Sequence, residues 1–522
     1  MRCCLLVVMW VLACAGPLAA QSAQRWPVPQ EAALGAATQL VADAYRKEYE
    51  AAKTPVQKQA LASKMLDDAL KTNDDPVARY AVLEAVRKIA AGIGDVDLVM
   101  RAVDAVGKTY EVDAAALRKQ AVLELAPLAK SSADHYALTR HIGQVLEQLL
   151  KEDQYAIATE LADLALASAR KASDADLVKQ WTRRQRDLET RAKAHTAAQE
   201  ALATLVDSPS DPAANHVAGK FRCFIQEDWT GGLAMLALGE ESELQQLAAT
   251  ELQGTDKQAD KLALADAWYD QAQQLEGPAR IAVLKHTATL YRPLLSGLSA
   301  IAKRRVENRL DEAVAAASAP WFVKDEWVEI LDFVDLDARR MDGRWDREGA
   351  WRKEGLSLSS DGRGGTYFAI PVVVEGSYEL EVTLTKQKGW ELLNLSLSKP
   401  CNDSYFQLNS RGSMSGMARI DGREQPNQHA SWRAPHHPWV NGRPYRLKVT
   451  VLPDGTKVAV AVEVNGKRYF RWAGPITQLT EPEVTQAPKK LAGRFVLGAW
   501  DTALTIHSVR LKSKTGAVRL LD

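Results

Sequence analysis

Residues 445–466 read YRLKVTVLPDGTKVAVAVEVNG. Leu447, Val449 and Val451 alternate with Lys448 and Thr450, and Val458, Val460, Val462 and Val464 alternate with Ala459, Ala461 and Glu463. Side chains two apart share one face of a strand, so each run offers an apolar face to a core. Pro453-Asp454-Gly455 between the runs is a turn signal. Asn465-Gly466 after the second is the pair favoured in a type I′ hairpin, where both residues need positive φ. The stretch predicts antiparallel strands joined by tight turns.

The same period extends in both directions. Tyr378, Leu380, Val382 and Leu384 share one face of a strand, with Glu379, Glu381 and Thr383 on the other. Leu393, Leu395 and Leu397 follow, and Leu504, Ile506, Val509 and Leu511 suggest a closing strand. Further turns are marked by Asp342-Gly343, Asp361-Gly362, Asp421-Gly422 and Asn441-Gly442. Nine of the 14 tryptophans lie between Trp321 and Trp500, so the change of composition falls after Pro320. About ten to twelve strands over 319–522 predict an antiparallel β-sandwich or jelly roll.

Upstream the period changes to that of helices. Residues 21–318 are rich in Ala, Leu, Glu, Lys and Gln, and apolar positions recur at three and four. Tyr80, Leu83, Val86 and Ile89 make one stripe; Leu117, Val122, Leu125 and Leu128 a second; Ile157, Leu161, Leu164 and Leu166 a third. Start signals stand at Asp74-Asp75-Pro76, Asp95, Asp113, Asp153 and Asp174, and breaks are expected at Gly92-Ile93-Gly94, Gly107 and Ser131-Ser132. Helices opening near Pro76, Asp113 and Asp153 suggest a helical-hairpin array, a degenerate α-solenoid resembling tetratricopeptide (TPR-like) repeats. The expected fold class is therefore multidomain α plus β.

The first 20 residues read as a signal peptide: Arg2, then an apolar run from Leu5 to Ala13, then Leu18-Ala19-Ala20 as a cleavage site. That run is too short to span a bilayer, so no transmembrane anchor is expected and the protein reads as exported, to the periplasm, cell envelope or exterior. A second reading takes Val11-Leu12-Ala13-Cys14 as a lipobox with Cys14 lipidated. Of five cysteines, Cys223 and Cys401 lie outside this segment, too few for a thiolate zinc site. Formal net charge is zero, which argues against a nucleic-acid partner. P-loop, dinucleotide-binding, metalloprotease, nucleophile-elbow and kinase motifs are absent. No cofactor is implied, and calcium has no supporting motif.

Within a distinct helical segment at 211–315, Asp211-Pro212-Ala213-Ala214-Asn215, Gly219-Lys220-Phe221-Arg222-Cys223-Phe224, Asp228-Trp229, Gly232-Leu233 and Leu236-Ala237-Leu238-Gly239 follow one another. This wording resembles a segment of secreted proteins of unknown function from planctomycete-type bacteria. Gly343-Arg344-Trp345, Trp351 to Leu358 and Gly376-Ser377-Tyr378-Glu379-Leu380 resemble the openings of concanavalin A-like, laminin G-like domains. That resemblance implies a jelly roll over about 334–511. The likeness extends distantly to the 3-keto-disaccharide hydrolase domain family, but the chain lacks the NSG-[IL]-x-[FL]-R segment of that group.

Two chemistries are weighed for the sandwich. Jelly-roll glycosidases set carboxylates on alternate residues of one strand. Glu379 and Glu381 have that spacing, but Thr383 breaks the E-x-D-x-E pattern. Sugar binding needs flat rings beside Asn, Asp, Arg or His side chains. Trp390, Asn402, Asp403, Tyr405, Arg423, Trp432, His436, His437 and Trp439 supply both, in segments between strand patterns. The leading expectation is a non-catalytic exported protein whose sandwich binds a polysaccharide or cell-envelope glycan. The alternatives are a carbohydrate-active hydrolase on the sandwich face, and a structural protein that takes a protein partner on the helical array.

Overall fold

The computed structural model describes residues 25–318, 321–334, 336, 351–362, 365–389, 393–401, 404–410, 414–424, 439–479 and 493–521. Among these, α-helices occupy the first part and antiparallel sheets the second. In chain order the helices are α1 (Glu31–Ala51), α2 (Pro55–Lys71), α3 (Pro76–Ile93), α4 (Val96–Thr109), α5 (Ala114–Leu125), α6 (Ser132–Lys151), α7 (Tyr155–Lys171), α8 (Ala175–Asp207), α9 (Pro212–Phe224), α10 (Trp229–Ala237), α11 (Glu243–Gln253), α12 (Gln258–Gln273), α13 (Gly277–Tyr291) and α14 (Ala300–Ser318). Successive helices pack on one another.

The helix starts follow their caps. Asp75, Asp95, Asp113 and Asp174 each accept a first-turn backbone N–H, and Ser131 and Asp134 make a capping box for α6. Asp153 does not cap α7. It sits at φ 54 one residue before the N-cap Gln154, and its carboxylate accepts from Gln226 at 2.7 Å. Gly107, expected as a break, lies inside α4. A Cβ there would stand 3.0 Å from the Ala114 Cβ, so the glycine lets α5 approach rather than ending a helix. Leu128 falls beyond α5 and is exposed.

The helices form two main cores. One joins α1 to α7 and the first half of α8, from Ala37 to Leu188. The other gathers α9 to α14 around the fully buried Trp268. The 33-residue α8 connects them, since Ala198 packs with Tyr155 and Phe221, and Ala201 with Ala214 and Ala218.

The strands are β1 (Trp327–Glu329), β2 (Trp351–Glu354), β3 (Ser357–Ser360), β4 (Gly365–Val374), β5 (Tyr378–Gly389), β6 (Leu393–Ser396), β7 (Tyr405–Ser410), β8 (Met414–Met417), β9 (Arg419–Ile420), β10 (Arg423–Glu424), β11 (Pro444–Asp454), β12 (Lys457–Val464), β13 (Lys467–Pro475), β14 (Arg494–Trp500), β15 (Thr502–Ser513) and β16 (Val518–Leu520). One sheet runs β13-β12-β11-β5-β15-β3-β2, with β1 also on β15; the other runs β16-β4-β14-β6-β7-β8. They enclose one core containing Tyr378, Leu380, Val382, Phe406, Val460, Phe495 and Leu497. Asn465 and Gly466 both have positive φ, 51 and 77, as the β12–β13 hairpin requires.

β15 is not a closing edge. It lies between β5 and β3, and its register slips between Ile506 and Ser508. The β-bulge at His507 explains why the apolar positions run 504, 506, then 509, 511.

The bulge also joins the halves. Arg140 of α6 donates from Nη1 to the His507 carbonyl at 3.2 Å and from Nη2 to the Leu356 carbonyl at 3.2 Å. Asp97 of α4 accepts from the Leu356 N–H at 2.9 Å. Asp174 and Asp176, at the start of α8, hold Arg510 at 2.7 Å and the Trp327 N–H at 3.1 Å. Arg183 donates to both oxygens of Glu326, at 3.2 and 2.8 Å.

Candidate functional site

Strand alternation gives the six-stranded sheet a second face, turned away from the shared core. Phe368, Ile370, Leu393, Leu395, Phe406, Leu408, Phe495 and Leu497 point inward. Their neighbours Tyr367, Asn394, Gln407 and Gly498 therefore project from the other side.

Register places these neighbours in one row. Tyr367 pairs with Gly498, Gly498 with Asn394, Asn394 with Gln407, and Gln407 with Gly416. The row thus reads ring, glycine, amide, amide, glycine. At Gly498 a Cβ would stand 1.9 Å from Tyr367 Cδ1, so the tyrosine ring occupies the space the glycine leaves. Asn394 is 8% exposed, and Gln407 is partly exposed. Neither amide group has a hydrogen-bond partner among the described residues.

The sequence-predicted residues distribute around this face. Tyr405 lies on it, one row from Gln407 and opposite Ser396. It is only 2% exposed, so its ring is not the open stacking platform expected. Trp439 is partly buried against the core, edge-on to Tyr445 at 4.8 Å and Tyr469 at 6.0 Å. Its indole bonds to the Tyr469 oxygen, and the Tyr469 hydroxyl donates to Ser415 Oγ at 2.7 Å. That chain ties β13 to β8 across the end of the sandwich, which makes Trp439 a packing residue. Arg423 is in β10. Trp390, Asn402, Asp403, Trp432, His436 and His437 lie outside the described residues.

Asn394, Gln407 and Tyr367 were not singled out from the sequence. The signal was available in the alternation Leu393-Asn394-Leu395, where an amide interrupts an apolar run. What the sequence could not supply was the pairing that aligns three strands.

The carboxylates weighed for hydrolysis stand elsewhere. Glu379 and Glu381 of β5 project from the eight-stranded sheet on the side opposite its core residues. Glu379 is 3.7 Å from Lys448 Nζ, and Glu381 is 3.8 Å from Arg446 Nε. Both belong to a charge-paired surface. Lys386, further along β5, is 4% exposed, and burial holds its amine below the usual lysine range. Among the described residues no group of three or more His, Cys, Asp or Glu side chains is placed to hold a metal ion, and no helix is long and apolar enough to cross a membrane. Cys223 and Cys401 are buried in separate cores.

No protein-family model matches the chain. No curated protein matches it. Among solved structures, the chain is similar to carbohydrate binding module CBM66 from Bacillus subtilis, at 13% identity over 37% of this chain and 99% of that one, with a TM-score of 0.23. It is similar to a galectin of Caenorhabditis elegans at 13% identity, over 28% of this chain and 89% of that one, with a TM-score of 0.19. A legume lectin-like domain from Entamoeba histolytica matches at 12% identity, over 32% of this chain and 89% of that one, with a TM-score of 0.23.

Proposed function

We propose that the protein binds a glycan through the second face of its six-stranded sheet, and that it does so outside the cytoplasm as an exported polysaccharide or envelope-glycan binder. The observation that carries the reading is the Tyr367–Asn394–Gln407 row. An amide offers donors and an acceptor together, which matches the paired demands of vicinal hydroxyl groups. The buried Tyr367 ring packs beside the amides, over Gly498. Export rests on the apolar segment Leu5–Ala13 and the small residues after it.

The test uses the full chain on a panel of insoluble polysaccharides and immobilised oligosaccharides. Asn394→Ala and Gln407→Ala are expected to weaken retention by about tenfold each, the value of one or two hydrogen bonds to the ligand. Asn394→Ala should leave the melting temperature nearly unchanged, because it removes no hydrogen bond among the described residues. Retention that survives both substitutions sinks the assignment of the face. No retention on a broad panel sinks the glycan reading itself.

A further inference from the structure

Between the helices and the sandwich lies a cleft of about 1060 Å³, with α6, α8, α9 and α13 on one side and the Trp327–Phe333 segment on the other. Its walls are largely apolar, with Trp181, Leu188, Trp321 and Phe333 among them. Several arginines line it, and most are matched. Arg140 is held by Asp332, Arg183 by Glu326, Arg191 by Asp187 and Arg510 by Asp174, and each of these carboxylates is itself at least half buried.

Arg184 differs. Its guanidinium lies 5.1 Å from the Trp181 ring and 5.3 Å from the Trp321 ring, beside Gly143. Its ion-pair partner is Glu147, whose side chain is 55% exposed at the rim. Burial holds Arg184 below the ordinary arginine range, because the nearby carboxylates do not offset the desolvation. Arg140 and Arg510 in the same interface are shifted upward by theirs.

We propose that this cleft is a binding site for an organic carboxylate carried on an aromatic or aliphatic body, with Arg184 receiving the carboxylate and Glu147 holding that position until the ligand displaces it. The charge argues for an anion, since Arg184 is the guanidinium with the least buried counter-charge. The planar fork of arginine accepts a carboxylate through two parallel hydrogen bonds. The apolar walls argue for the body, and the volume is just above the usual range of about 300–1,000 Å³ for small-molecule sites. Glu147 reaches Arg184 from the solvent-exposed rim, so a ligand carboxylate can take its place while the glutamate turns to water. The site is separate from the sheet face above, and neither depends on the other.

The experiment measures binding of naphthoate and of decanoate to the full chain by calorimetry, each beside its neutral amide. At least one acid is expected to bind about tenfold or more tightly than its amide, the difference one charge-assisted contact makes. Arg184→Gln should bring that acid down to the level of its amide. Glu147→Gln should tighten the acid several-fold and leave the amide unchanged; this rim substitution disturbs no core residue. Acid and amide binding alike, neither binding to the Glu147→Gln variant, or Glu147→Gln weakening the acid would each overturn the proposal.

Discussion

Arg140 grips Asp332 with two prongs, Nε at 3.0 Å from one carboxylate oxygen and Nη2 at 2.6 Å from the other, while its remaining N–H groups reach two sandwich carbonyls. The arginine side chain is 6% exposed. A guanidinium this deep is stabilising only while every partner stays in place.

Arg140→Met should therefore destabilise the protein by about 3 kcal/mol or more, because it leaves Asp332 and Glu329 without their cation. Arg140→Met with Asp332→Asn should recover part of that loss. Urea denaturation of the wild type, both single variants and the double variant measures the coupling. A loss below about 1 kcal/mol in Arg140→Met would place the pair with exposed ion pairs and refute its role as the joint.

Glu329 gives the interface a pH dependence. It accepts from Ser508 Oγ at 2.5 Å, the Val509 N–H at 2.8 Å and Tyr136 at 3.2 Å. Burial raises its carboxyl above the ordinary range despite the attraction of Arg140. A carboxyl raised in the folded state binds its proton more tightly there than in the unfolded chain. Its contribution is thus fully present below the ordinary glutamate value and is lost as pH rises through the folded value. Glu329→Gln lacks this titration. The expected result is a stability advantage of the variant over the wild type that grows from acid to neutral pH. An advantage that is flat or shrinks over that range contradicts the assignment.

Gly498→Ala tests the sheet face by sterics. The added methyl would stand 1.9 Å from the Tyr367 ring, so the ring must move. The cost expected from overpacking is about 1–3 kcal/mol. Glycan retention should fall by about tenfold or more, the value of one good contact. Retention at the wild-type level, in a variant shown to be folded by circular dichroism, would mean that the ring position is irrelevant to binding.

Asn465 tests the hairpin that decided the fold. Its φ is 51, and its Oδ1 accepts from the Arg446 N–H at 2.9 Å. Asn465→Ala should cost about 2 kcal/mol through left-handed strain and the lost bond. Asn465→Gly should cost less, since glycine relieves the strain. Equal losses in thermal unfolding would assign the whole effect to the hydrogen bond.

The two-class architecture was legible because period and punctuation agree. Valines at every second position end at Asn-Gly in one half, and aspartates precede apolar helical stripes in the other. What was not legible has particular causes. Gly107 looks like a break because glycine is a poor helix former, yet a neighbouring helix needs its missing side chain. Asp153 looks like a cap, but the backbone turns left-handed one residue early. Tyr405 and Trp439 have the composition of a sugar site, and packing takes both. The Tyr367–Asn394–Gln407 row depends on which strands become neighbours across gaps of more than a hundred residues. Local pattern carries no information about that.

Helix α8 has a consequence for how the molecule moves. At 33 residues it is about 50 Å long. Its first half is packed into the N-terminal core and pinned to the sandwich, and its second half is packed against α9. No loop separates these attachments. It works as an axle through the two helical cores, reinforced where α14 meets β16 through Arg519 on Asp311 and the Leu520 N–H on Ser318. A single proline near Thr190 would break this continuous element and leave only the contacts beside it to hold the angle between the cores. The angle between the cores is thus held twice, by a helix that cannot bend easily and by contacts that can be remade.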